Sequence, residues 1–249
     1  MTVVAPALSA GVGVRYQGSW ALRLVSFRLA RSDLGRTAMG VITRRSAASV
    51  ALTELLTGRL RPAYGTLHIL GYDMAAVAGR TAVRRQVGVA SLSVRPMSAT
   101  HIRRFVERAA RSSGQPGSDR HLLVAAILDR LALTPWAEVP LGAAPELITR
   151  KARLAAACVH QPKLLVIDGL LDHLPPLDLT LLADVIRDVG RDTAIIALGT
   201  DADTLTLICD QVAPLAKGIL IGEPVLDRPE AGEFSAHAAL HGHVLARRP

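Results

Sequence analysis

Lysine is nearly missing from the chain. The first of its three lysines is Lys151, so chemistry that needs an ammonium group in the first 150 residues is excluded in every register. Aromatic residues make up only 3%, too few to interleave with basic residues as base-stacking platforms do. The two cysteines, Cys158 and Cys209, lie far apart inside apolar segments, the pattern of buried free thiols rather than of a disulfide or a metal pair. The longest apolar stretches, such as Leu122 to Leu128 and Ala194 to Leu198, fall far short of the ~18 residues of a spanning helix. No basic region precedes an apolar run at Met1 to Val14, so no secretory signal is read there and a cytoplasmic compartment is expected.

What is present suits a buried aliphatic core. Half of the 249 residues are hydrophobic, 20% are charged and the mean hydropathy is +0.30. Twenty-nine basic residues against 21 acidic ones give a net charge of +8, which admits a polyanion or an anionic membrane surface as partner. The basic residues are dispersed rather than blocked, and no nucleic acid is expected.

The pattern along the chain is α/β. Residues 12 to 31 alternate as two strand runs, through Val12, Val14 and Tyr16 and then Leu22, Leu24, Val25, Phe27 and Leu29, around a turn at Gln17-Gly18-Ser19. Thr37 to Ile42 reads as a buried strand, Thr43 to Ala48 as a loop and Ser49 to Thr57 as a helix closed by Gly58. Strands are expected at Thr66 to Ile69 and Val87 to Ala90, and residues 100 to 160 read as mostly helical. Beyond residue 163, the runs Leu164 to Ile167, Thr193 to Leu198 and Val212 to Ile221 alternate with helices near 179–189 and 202–209, which implies a parallel sheet covered on both faces. Trp20 and Trp136 read as packing residues.

Over residues 10 to 225 this order resembles the ATPase subunit of an ATP-binding cassette (ABC) transporter. The resemblance is carried by Leu55-Leu56-Thr57-Gly58, Arg61-Pro62 and Gly65, by Gly71-Tyr72-Asp73, by Arg84-Arg85-Gln86-Val87-Gly88-Val89, by His160-Gln161-Pro162-Lys163 running into Leu164 to Asp168, and by Cys209-Asp210-Gln211-Val212 with Ala216-Lys217-Gly218. It implies a P-loop NTPase (RecA-like) ABC-cassette core with an N-terminal antiparallel β layer and an inserted α-helical lobe. The expected divisions are a core over 10–99 and 160–225, a helical signature subdomain over 100–159 and a tail over 226–249. It further implies Tyr16 as the adenine-stacking aromatic and Asp168 as the Walker B aspartate.

The chemical positions depart from the family. Counting back from Gly58 sets the phosphate loop at Thr43-Arg44-Arg45-Ser46-Ala47-Ala48-Ser49-Val50, where the working pattern is G-x-x-x-x-G-K-[ST]. Thr43 and Ala48 occupy glycine positions, Ser49 the lysine and Val50 the metal-binding hydroxyl. Leu92 falls at the glutamine, Gly169 at the glutamate after Asp168 and Thr200 at the switch histidine. The signature reads Ala144-Pro145-Glu146-Leu147-Ile148, with Glu146 bringing negative charge toward a triphosphate, and the turn after Walker B reads Asp172-His173-Leu174-Pro175. Asp168 has no hydroxyl partner at Val50 and reads as a residual strand-end group. Asp172 lies too far along its turn, at ~3.3 Å per residue, to replace the lost carboxylate. His237, His241 and His243 read as part of a histidine-containing tail.

These residues lead to an expected pseudo-ATPase: a cassette without catalytic residues or metal, needing no cofactor, cytoplasmic and peripheral to the inner face of the cell membrane. Its expected partners are a membrane permease subunit, an intact ABC ATPase subunit, or both in a hetero-oligomer, with the groove from Leu92 to Phe105 as the docking surface. Two alternatives stay open. One is an atypical subunit that still holds ATP and Mg through Tyr16, Arg44, Arg45, Ser49, Val50 and Asp168; the other is a basic module that binds anions or nucleic acid.

Overall fold

A computed structural model describes residues 5–30, 37–93, 98–114 and 117–221. The histidines at 237, 241 and 243 lie outside these residues.

β1 (Ala7–Tyr16) and β2 (Ser19–Leu29) form an antiparallel hairpin. Gln17 and Gly18 join them with φ of 49° and 83°, the paired positive values that match a tight turn to the strand twist. Leu24 does not belong to the inward set. It has φ 49° and is 52% exposed, while Leu22 and Val25 on either side are buried. This irregularity inserts one residue into the alternation, so the inward parity changes across it and a regular period-2 reading fails at that point.

β4 (Tyr64–Ile69) pairs with the other edge of β1, and β5 (Tyr72–Asp73) completes the sheet in the order β2-β1-β4-β5 once β3 (Ala38–Ile42) is assigned to the second sheet. The phenol end of Tyr64 covers Gly13, where an added Cβ would come within 2.1 Å of the ring. Trp20 is 39% exposed and packs its ring against Tyr64 at 5.2 Å, with the Arg15 guanidinium over the Trp20 ring at 4.9 Å. Trp20 is therefore part of an outer aromatic pair rather than a core side chain. Trp136 is half-buried against the core.

The second sheet has six strands in the order β10-β9-β3-β8-β7-β6. Its strands are β3, β6 (Val87–Ser91), β7 (Leu164–Asp168), β8 (Ala194–Gly199), β9 (Gln211–Ala216) and β10 (Ile219–Leu220). All pairs are parallel except β9 with β10. Residue parity divides the core between the two faces. Leu164, Val166, Ile196 and Leu198 join the cluster shared with the antiparallel sheet and α1 (Ala47–Leu56), whereas Leu165, Ile167, Ile195 and Ala197 join the cluster on the opposite side. That is why these strands read as unbroken apolar runs.

α2 (Val77–Arg84) was not anticipated. Its eight residues bury only Gly79 and Val83, and Ala76 supplies no side-chain cap, so neither periodicity nor a start signal marks it. The Arg84 Nε donates to the Gly58 carbonyl at 2.9 Å and fixes α2 to the end of α1.

Between β6 and β7 lie α3 (Ile102–Ser112), α4 (Gly117–Arg130), a 3-10 turn at Thr134–Trp136 and α5 (Glu146–Cys158). α3 turns Ile102, Val106 and Ala110 inward, and α4 turns Val124 and Leu128 to the same cluster. α6 (Pro176–Val189) separates β7 from β8, and α7 (Ala202–Thr206) follows β8. Both α1 and α6 start before the expected positions, and α7 ends earlier. Lys217 and Gly218 turn β9 into β10, where the Arg23 amide donates to the Gly218 carbonyl at 2.6 Å and joins the two sheets. Among the described residues, no helix is long and apolar enough to cross a membrane.

Candidate functional site

Parallel strands bring their carboxyl ends to one edge, where the loops that follow can share a site. Backbone bonds join this edge across four neighbouring strands. The Thr43 amide donates to Gly199 at 2.8 Å, the Gly169 amide to Leu198 at 2.9 Å and the Leu92 amide to Asp168 at 3.1 Å. The positions singled out after β3, β6, β7 and β8 are thus neighbours in space.

After β3 the chain turns through Thr43 to Ser46 and enters α1 at Ala47, two residues earlier than expected. This places Ser49 inside the first turn. Ser46 is the N-cap, and its Oγ accepts from the Ser49 amide at 3.4 Å. In return the buried Ser49 Oγ accepts from the Ser46 amide at 2.9 Å and donates to the Ser46 carbonyl at 3.0 Å. This reciprocal cap satisfies amides that a helix start otherwise presents outward. Val50 continues the helix with its amide on the Ser46 carbonyl at 3.1 Å, and its side chain offers no oxygen. Arg44 and Arg45 are exposed. Tyr16 and Ala48 are both half-buried against the cluster beneath α1.

Asp168 has hydroxyl partners after all, one at the end of β6 and one two residues beyond it. Its Oδ2 accepts from Ser91 Oγ at 2.8 Å and from Ser93 Oγ at 3.1 Å, while the Ser93 amide donates to Ser91 Oγ at 2.9 Å. Gly169 turns the chain away from β7 with φ 70°, a conformation that disfavours a side chain. Asp172, three residues on, accepts through Oδ1 from the Thr200 amide at 2.9 Å and the Thr200 hydroxyl at 3.1 Å. Asp201 caps α7 instead of facing this network. It accepts from the Thr204 amide and hydroxyl, which hold its carboxyl below the usual value.

α5 grips the same strand ends. Glu146, at its first turn, accepts from Arg150 Nε at 2.7 Å, so its carboxylate pairs within the helix. Arg150 is 5% exposed and its Nη1 donates to the carbonyls of Leu170 at 2.8 Å and Asp172 at 2.6 Å. One turn along, Arg153 Nη1 donates to the Ser91 carbonyl at 2.8 Å, and burial lowers the pKa of this guanidinium. At the far end of α5, burial lifts the Cys158 thiol to about 12 and removes it from thiolate chemistry. Both cysteines are buried and neither is in a disulfide among the described residues.

Sequence reasoning missed Ser91, Ser93, Arg150 and Arg153. Two serines spaced two apart at a strand end were a local sign of a shared partner, but Asp168 lies 75 and 77 residues away. Arg150 carried no sign, because its burial depends on the turn after β7. Leu92 is half-buried against the core, and positions 94–97 of the expected groove lie outside the described residues. Among the described residues, no cluster of three or more His, Cys, Asp and Glu side chains could hold a metal ion.

The mainly parallel sheet, the antiparallel layer and the helices between β6 and β7 together make the ABC-cassette form of the P-loop NTPase fold. The same fold occurs in the structure of cbiO1 from Clostridium perfringens, part of the ABC transporter complex cbiONQ, with a TM-score of 0.74 and 18% identity over 88% of this chain and 87% of that one. An ATP-binding subunit of an ABC transporter superposes with a TM-score of 0.71 and 19% identity, covering 89% and 90% of the two chains. In sequence the chain is similar to ABC transporter ATP-binding subunits. It is 28% identical over 207 residues to the methionine import ATP-binding protein MetN 2 of Burkholderia mallei, covering 81% of this chain and 51% of that protein. It is 26% identical over 196 residues to the MetN protein of Caulobacter vibrioides, covering 76% and 58%. The chain thus spans about half the length of the curated relatives it matches. No family model matches it.

Proposed function

We propose that the chain is an ABC-type subunit that has given up ATP hydrolysis and serves as a cytoplasmic platform on a membrane permease or an intact ATPase neighbour. The observation that carries this reading is the reciprocal cap between Ser46 and Ser49. In a working phosphate loop the helix amides and a lysine face the phosphates, and a hydroxyl on the next residue holds Mg²⁺. Here Ser49 at the lysine position is buried in the cap, and Val50 follows it.

The residues present do not fit Mg-ATP. Asp168 is bonded to two serine hydroxyls, Gly169 has no carboxylate and Thr200 at the switch position is bonded to Asp172. The surface proposed for a permease segment is the groove from Leu92 to Phe105, at the start of the helical subdomain taken as residues 100–159. Similarity to subunits named for ATP binding supports transport as the setting, while the methionine of those names belongs to those proteins.

The test is ATP hydrolysis by the purified chain, alone and mixed with an intact cassette subunit whose own rate is known. The expected result is no turnover by the chain alone and no added turnover in the mixture beyond that of the intact subunit. Turnover abolished by Asp168→Asn in this chain would reject the reading.

A further inference from the structure

We infer that the outer face of α3 is a contact surface for anionic phospholipid headgroups. Arg104, Arg108 and Arg111 recur on this helix at i, i+4 and i+7, a spacing that sets them within one narrow sector. All three are exposed. At 1.5 Å rise per residue the row extends over about 10 Å. Among the described residues, none of them is in a salt bridge. Arg103, one residue to the side, is held by Glu138 at 2.6 Å, and Arg104 adds its charge to the field on that carboxylate. Glu107, half-buried on the flank, is the only acidic residue of α3.

The opposite face holds Ile102, Val106 and Ala110 in the core, so α3 cannot turn these arginines inward without losing its packing. They are committed to an outside partner or to water. A guanidinium presents paired donors that match phosphate oxygens.

The chemistry of the face favours a lipid surface over a macromolecular groove. No exposed apolar residue of α3 flanks the arginines: Phe105 and Ala109 are half-buried against the core cluster. A packed partner helix would need such flanking anchors. No aromatic lies among the exposed residues of α3, which disfavours single-stranded nucleic acid. What remains is a convex row of fixed positive charge, suited to reversible adsorption on a flat anionic layer.

The experiment is sedimentation of the full chain with vesicles of phosphatidylcholine alone and of equimolar phosphatidylcholine and phosphatidylglycerol, over a salt series. The expected result is binding to the anionic vesicles only, weakening as salt rises. Arg104→Gln, Arg108→Gln and Arg111→Gln together should lower the partition by about a hundredfold, near fivefold for each charge. The control replaces Arg23, Arg61 and Arg85 by Gln, removing equal charge from exposed positions elsewhere, and it should keep most of the binding. Unfolding midpoints of both variants are measured alongside, and binding is compared under conditions where both are folded. Equal losses in the two variants would assign the effect to overall charge and overturn the inference. So would equal binding to neutral vesicles, no vesicle binding, or retention on an immobilised acidic peptide without binding to vesicles.

Discussion

Asp172 and Thr200 are joined twice, the Oδ1 of the aspartate accepting from both the amide and the hydroxyl of the threonine at 2.9 and 3.1 Å. The bond links the turn after β7 to the turn after β8. Thr200→Val removes one of the two hydrogen bonds and should cost about 0.5–1 kcal/mol. Asp172→Ala removes both and should cost about 1–2 kcal/mol. Urea denaturation of both variants measures the difference, and equal costs would show that the amide bond contributes nothing.

Ser49→Lys restores the residue type that phosphate binding calls for, yet it breaks the reciprocal cap. The expected outcome is a loss of about 1–2 kcal/mol in stability and no gain in nucleotide binding. Ser46→Ala should cost about 1 kcal/mol through the same cap. Thermal unfolding with and without Mg-ATP reads both effects. A lysine variant that became more stable on adding nucleotide would mean that the loop needs only this one residue to work.

Arg150 is the clamp between α5 and the turn after β7. Arg150→Met keeps much of the packing but leaves the Leu170 and Asp172 carbonyls without this charged donor. The expected cost is about 2–3 kcal/mol, with faster amide exchange in residues 169–174. Arg150→Lys should recover only part of it, because one ammonium on a different stem does not reproduce a planar fork. Full recovery by lysine would reduce the clamp to a simple charge effect.

His160 gives a pH dependence of definite sign. Burial holds its pKa below the ordinary 6.5, against an opposing backbone hydrogen bond at Val87. The unfolded chain then binds the proton more readily than the native one. The stability tied to neutral His160 is fully present above pH 6.5 and is lost as pH falls toward the lower native value. His160→Gln should flatten this part of the curve of unfolding free energy against pH. An unchanged curve would place the acid sensitivity elsewhere.

The legible parts of the fold were those in which one residue pattern had one outcome. The runs Leu164 to Ile167 and Ala194 to Leu198 are apolar at every position because both faces of the sheet are covered, and they read directly as buried strands. Gly58 and Gly218 marked a helix end and a hairpin, and both have φ above 70°. Leu24 was misread because a single positive φ changes strand parity without any glycine to announce it. α2 was missed because it buries too little to leave a period.

At the site, the family resemblance brought Thr43 to Val50, Asp168, Gly169 and Thr200 into view. The bonds these residues make were not legible. Ser91 and Ser93 lie at and just after the end of β6 while Asp168 ends β7, and the burial of Arg150 depends on carbonyls 20 and 22 residues away. Such pairs depend on tertiary contact, to which local propensity is blind. The Ser46–Ser49 spacing is a local signal of a capping box, and it coincides with the position at which a phosphate loop carries its lysine.

The central claim is a cassette fold without a working nucleotide site, and the most direct measurement is Mg-ATP binding by calorimetry, paired with thermal shift and an intact cassette as positive control. A ligand at 100 times its Kd stabilises a fold by about 2.7 kcal/mol, well within detection. The account predicts no saturable heat and no shift with millimolar nucleotide. Saturable binding that disappears in Asp168→Ala would contradict it.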